Sequence, residues 1–406
     1  MLALSYIKSV PRYLLVRTLA PKLPQISTSS LSSLKLGNVT PPTLPGKEWI
    51  RINTRLSGIC GSDISTIKAK GSFYLSPFVS FPFVLGHEVV GTVSEVGSSV
   101  SKIAVGERVV IEPNLSCQVR GISSLCPQCQ KGNYGNCENV TLGDIAPGLQ
   151  TGYCQTTGGG WSSELVAHQL QVHVVPDKLS DEEAVLIEPF SCAIHGVLKA
   201  NLQGDETVMV MGCGVIGLLT IAAMRALGYK CRVLAIAKYP HQEELAQVLG
   251  ANQVFRYSKN IHQEISTFLK SKIFQPDLGK PVLASGVDCT FDCVATSNSI
   301  DDSLRLTRAN GKVVLVGMPA VPKGIDWTAM WYKELQIIGA YTYGTEIYQG
   351  EKIRTFTLAL RLMEQQDGLL KSLITGYYKL QDYRQAMKTA MNSKQSKSIK
   401  TVFDLR

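Results

Sequence analysis

Between residue 50 and about residue 175, apolar side chains come in short alternating runs broken by Gly and Pro. That rhythm predicts β-strands, for example over 89–93 and 108–111. Ser180 followed by Glu183 forms a capping-box pattern ahead of an apolar run, which predicts a helix. Pro189 is expected to interrupt it, with a second helix over 191–200. From Thr207 the rhythm changes. Strands are predicted at 207–211, 232–237, 253–255, 287–292, 312–316 and 335–340, most of them separated by helical stretches. Six such strands fit a doubly wound parallel sheet. The tail from about Tyr341 reads as two amphipathic helices and a last strand near 399–403 that returns to the first domain.

Composition changes this picture little. A chain of 406 residues exceeds one compact core, and 45% hydrophobic with 18% charged residues is ordinary for a globular protein. No apolar run approaches the length of a membrane span. The net charge of +9 favours an anionic ligand such as a phosphorylated cofactor. The basic residues read as scattered, so nucleic acid is not expected as a partner, and without a run of spanning length neither is a membrane. Six Lys or Arg precede the first acidic residue, Glu48, a composition like that of a transit peptide. The same segment carries six prolines, shows little helical periodicity and is needed for the first strands, so the cytoplasm is the expected compartment.

Three sets of residues carry chemistry. Gly212-Cys213-Gly214-Val215-Ile216-Gly217 directly follows a predicted strand and opens an apolar helix, the setting that binds a dinucleotide pyrophosphate at a helix N-terminus. About twenty residues on, where an acidic residue ordinarily meets the ribose hydroxyls, stand Ala237 and Lys238. A neutral residue followed by a cation favours NADP over NAD. Cys117, Cys126, Cys129 and Cys137 offer four thiolates, the donor set of a closed structural zinc site. The alternative is a coincidental cluster in a loop. Cys60, His87 and Glu188 offer thiolate, imidazole and carboxylate, three donors that leave a fourth position open on zinc.

Together the segments GICGSD (58–63), GHEVVGTVSEVG (86–97), the cysteine lobe, VLIEPF (185–190) and VMGCGVIG (210–217) resemble the zinc-containing medium-chain alcohol and polyol dehydrogenases, in particular the sorbitol and threonine dehydrogenase branch with Glu at the third ligand position. The resemblance runs from about Pro45 to the C-terminus. It implies an α/β fold in which a Rossmann domain, residues 191–340, is inserted in a mainly-β GroES-like catalytic domain, residues 1–190 completed by 341–406. It further implies that Cys60, His87 and Glu188 hold a catalytic zinc, that Glu88 exchanges with a ligand or water, and that Asp63 accepts a hydrogen bond from His87. Ser62 would relay the proton, Lys400 would contact the pyrophosphate, and a second, structural zinc would sit in the lobe. Dimers or tetramers are also implied.

This chain departs from the family pattern in three places. Cys117 lies nine residues before Cys126 where three is usual, Ser65 replaces a relay histidine, and Gly61 stands where some relatives have a phosphate-binding Arg. The implied reaction is hydride transfer between an alcohol or carbonyl compound and a nicotinamide, with zinc as Lewis acid. The rival readings are a zinc-free enone or quinone reductase and a non-catalytic binding protein on the same fold. The Trp327, Trp331 and Tyr332 cluster fits either a cleft lining or the core.

Overall fold

The computed structural model describes all 406 residues. They form two compact units, Met1–Glu188 with Tyr343–Arg406, and Pro189–Thr342.

The first unit is built on a seven-stranded sheet. Its long central strand, Trp49–Gly58, pairs antiparallel with Val89–Val96 on one side and with Glu164–His168 and Lys400–Asp404 on the other. Ile50, Ile52 and Leu56 point inward and are fully buried, while Arg51, Asn53 and Arg55 point outward, the alternation expected of a strand with one covered face. A smaller antiparallel sheet joins Leu34–Asn38, Leu2–Tyr6 and Phe83–Val84. The last strand of the chain thus completes the first unit's sheet.

The second unit holds six parallel strands in the spatial order Gln253–Arg256, Arg232–Ala237, Thr207–Met211, Val287–Asp292, Thr307–Leu315, Gln336–Gly339. Strand order reverses between Thr207–Met211 and Val287–Asp292, and at such a switch point the carboxyl ends of the strands open a ligand crevice. The α/β class, with a parallel doubly wound sheet and a mainly-β partner unit, is therefore as expected.

Four local expectations are corrected. Pro189 does not interrupt a helix: it sits in the first turn of Ile187–Ala200, where backbone N–H groups lack intrahelical acceptors and a missing one costs nothing. For the same reason Pro11 opens a helix, Val10–Leu19, in a segment that shows little helical periodicity. The strand expected at 312–316 begins at Thr307, with an irregular register where residues 308–311 bulge outward. A short hairpin, Ile273–Phe274 with Val282–Leu283, was hidden by polar residues between its arms.

Candidate active site

Cys60 is the N-cap of the short helix Gly61–Ile67, and Asp63 three residues on accepts a 3.0 Å hydrogen bond from the Cys60 backbone N–H. This local capping fixes where the thiol points. His87 follows the strand Phe83–Val84, and its Nδ1 lies 3.4 Å from Asp63 Oδ1. The ligand atoms of Cys60, His87 and Glu88 all lie within 4.8 Å of one another. Burial works against a charge on His87, yet Asp63 and Cys60 hold its pKa well above the usual histidine value.

Glu188 is not one of that trio. It is buried in the same electrostatic neighbourhood, in the first turn of its helix, and its Oε1 accepts a 3.1 Å hydrogen bond from Tyr343. Burial, reinforced by the negative charge of Glu88, pushes its carboxyl up to about 7, against the pull of His87 and Lys400. The resemblance assigns Lys400 to the pyrophosphate. In the structure its ammonium is buried against the Glu88 carboxylate and the carbonyl of Ile59. Burial disfavours the cation, but Glu88 and Cys60 outweigh it and raise the pKa.

Tyr153 has no signal in the sequence, because its partners lie about ninety residues away. Its hydroxyl donates to Asp63 Oδ1 at 3.3 Å and lies 3.2 Å from Thr66 Oγ1, so it braces the carboxylate that faces His87. Ser62 and Ser65 lie on the same short helix, both half-buried. The half-buried thiol of Cys60 converging with buried imidazole and carboxylates forms a donor set that suits zinc.

The lobe brings all four cysteines together, each buried, with their sulfur atoms within 4.8 Å. Cys117 and Cys137 are 3.6 Å apart, and backbone or amide N–H groups of Cys126, Asn139, Cys129 and Glu138 point at Cys117 or Cys126. Hydrogen bonding from Cys129 lowers the Cys137 thiol to about 5. The nine-residue interval after Cys117 is folded around Arg120, which is fully buried and donates to the carbonyls of Leu115, Leu142, Ile145, Ala146 and Gly148. This arginine closes the loop that spacing alone left open.

In the second unit the glycine loop follows strand Thr207–Met211 and leads into the helix Val215–Ala226. Gly212 has a positive φ of 92°, and a Cβ on Gly217 would collide with the Gly212 carbonyl, so both positions require glycine. A Cβ on Gly214 would meet nothing within 4 Å, which leaves open space beside the free N–H groups of the helix. Such a cradle suits a pyrophosphate. Ala237 is buried at the end of its strand, and the exposed Lys238 lies over the Tyr239 ring.

Comparison with known proteins agrees with this geometry. Residues 46–177 match the alcohol dehydrogenase GroES-like domain, and residues 215–363 match the zinc-binding dehydrogenase family. The chain is 29% identical to L-idonate 5-dehydrogenase of Vitis vinifera, across 92% of this chain and 93% of that protein. It is 30% identical to a probable D-xylulose reductase A of Emericella nidulans, across 89% and 90%. In fold it resembles the crystal structure of 2R,3R-butanediol dehydrogenase from Bacillus subtilis, with a TM-score of 0.68 at 23% identity, covering 92% of this chain and 96% of that one. With family matches in both units and relatives spanning nearly its whole length, this chain belongs to the zinc-containing medium-chain alcohol and polyol dehydrogenases, NAD(P)-linked oxidoreductases that act on alcohol groups.

Proposed function

We propose that this protein oxidises a secondary hydroxyl of a polyol or sugar acid, or reduces the matching ketone, with NADP as partner and two zinc ions per chain. The observation that carries the reading is the convergence of half-buried Cys60 with buried His87 and Glu88 in the electrostatic neighbourhood of Glu188. The substrate class rests on relatives named for L-idonate, sorbitol and D-xylulose.

Cys60, His87 and Glu188 hold the catalytic zinc in this reading, and Glu88, ion-paired to Lys400, is the carboxylate that exchanges with it. Bound there, zinc supplies a Lewis acid that lowers the pKa of an alcohol. Asp63 Oδ1 faces Nδ1 of His87 at 3.4 Å, an approach that would favour the proton on that nitrogen and leave Nε2 to hold the metal. Ser62 passes the substrate proton on towards Ser65 and solvent. Gly212, Gly214, Val215, Ile216 and Gly217 cradle the pyrophosphate, and Lys238 pairs with the 2′-phosphate, a role supported by its exposure and by the neutral Ala237 before it. Cys117, Cys126, Cys129 and Cys137 hold the structural zinc.

We also propose a homo-oligomer. Strand Gln336–Gly339 is the outer edge of its sheet, and Trp327, Trp331 and Tyr332 beside it are exposed rather than packed in a core. Eleven free cysteines fit a reducing, cytoplasmic setting.

Metal analysis combined with cofactor titration tests the reading. The purified chain should contain two equivalents of zinc, and Cys60→Ala should retain one equivalent, stay folded and lose turnover. Tryptophan fluorescence should show tighter binding of NADPH than of NADH. Full activity in Cys60→Ala would remove the catalytic site assigned here, whereas a preference for NADH would overturn only the cofactor assignment.

A further inference from the structure

The positive charge of this protein is not spread along the chain. Residues 1–80 hold ten Lys or Arg against two carboxylates, Glu48 and Asp63, so residues 81–406 keep only one of the nine surplus charges. Asp63 is fully buried, and Glu48 is engaged with Gln169 and His168. Arg51 and Arg55 are paired with Glu95, Glu164 and Asp181 from outside the segment, whereas Lys8, Arg12, Arg17, Lys22, Lys35, Lys68 and Lys70 face no such carboxylate and leave the surface they build cationic.

Apolar groups are exposed on the same segment. The helix Val10–Leu19 is anchored by one face only: Val16 and Ala20 pack with Ile26 and Ala69, and Tyr13 donates to the Ala69 carbonyl. The opposite stripe, at intervals of four and three residues, is Val10, Leu14 and Arg17, with Val10 63% and Leu14 53% exposed. Beside it stand Phe73, 62% exposed, and Tyr74, 78% exposed, from the turn Phe73–Phe78. The patch is continuous, because the Phe73 ring lies 5.5 Å from Tyr13 and 5.3 Å below the Arg17 guanidinium. Arg12 and Arg17 bond to neutral oxygens, the carbonyls of Ser30 and Ser32 and the hydroxyl of Tyr13, and so keep their full charge.

We propose that this face docks the enzyme on an anionic phospholipid surface, with Val10, Leu14, Phe73 and Tyr74 entering the interface and the surrounding Lys and Arg meeting the headgroups. Exposed aliphatic and aromatic groups ringed by cations are the pattern of an interfacial helix. A polyphosphate strand such as RNA would satisfy the cations but offers Val10 and Leu14 no apolar phase to enter, which the acyl region of a bilayer does. At ten residues the helix is about 15 Å long, half a hydrocarbon core, so it lies on the surface rather than crossing it. No helix of the chain is long and apolar enough to cross a membrane. Docking on this face departs from the expectation of no membrane partner, which does not weigh where along the chain the charge lies.

Co-sedimentation of the full-length chain with vesicles tests the proposal. Vesicles of equimolar phosphatidylcholine and phosphatidylserine should carry the protein down at low salt and release it at high salt, and pure phosphatidylcholine vesicles should not bind it. Arg17→Glu should lower the partition coefficient roughly thirtyfold, and Leu14→Ser roughly tenfold. Neither substitution should shift the thermal unfolding midpoint, which shows that the fold is kept. No binding to the anionic vesicles, equal binding to both kinds, or tighter binding to a single-stranded RNA than to the vesicles would each overturn the proposal.

Discussion

Glu112 shows how a single buried carboxylate links this fold to pH. It is almost wholly buried, 2.7 Å from the Arg354 guanidinium and 3.3 Å from His173 Nε2. Burial alone would raise its pKa, but Arg354 and His173 outweigh it and hold the value below the ordinary 4.5. A carboxyl with a depressed folded-state pKa adds stability that is present above 4.5 and lost as pH falls through the folded value. Glu112→Gln should therefore cost about 2 kcal/mol at neutral pH, at the low end for a buried pair because Arg354 is partly exposed. In urea unfolding the gap between variant and parent should close as the pH drops below 4.5. A gap that stays constant across that window would assign the cost to packing instead. The same logic of burial against pairing governs Lys400, whose partner Glu88 is not visible from its own stretch of sequence.

At the scale of elements, two prolines are read wrongly for one reason. Pro11 and Pro189 look like breakers in a linear pattern, yet both lie in first turns, where their missing N–H has no partner to lose. The cysteine lobe teaches the complementary point. Its four cysteines are a candidate donor set by residue type, but only the buried Arg120 explains how Cys117 reaches the other three. Arg120→Met leaves several inward-facing carbonyls without donors, and a loss of about 3 kcal/mol is expected. Zinc loaded into the lobe, as proposed, should then pass to a chelator far faster than in the parent, while metal bound at the Cys60 site is retained. An unchanged chelation rate and unfolding midpoint would show that the loop is held by something other than this arginine.

At the scale of the molecule, the edge strand Gln336–Gly339 and the exposed Trp331, at 76%, form an apolar border that a second copy can cover. Light scattering after size exclusion should give at least twice the chain mass of 44.2 kDa, and Trp331→Asp should shift the population towards the monomer. A parent protein that runs as a monomer at every concentration would exclude this interface. The cationic face of the first unit involves residues 8–35 and 68–74, far from that edge in sequence, so its docking is expected to survive Trp331→Asp.

By itself the sequence determined the fold class and most of the chemistry, because both depend on local signals. Strand and helix periods, a glycine loop between a strand and a helix, and thiolate or imidazole residues in recognisable segments are all written within a few residues of one another. Even the uneven charge was there to be read. Tertiary structure alone decided that Glu88 lies within 4.8 Å of Cys60 and His87, that Lys400 pairs with Glu88, that Tyr153 braces Asp63, and that Val10 and Leu14 face outward. These facts depend on burial and on partners tens to hundreds of residues away. In a folded interior, what a charged or apolar side chain does is set by what surrounds it, and the linear order of residues does not carry that information.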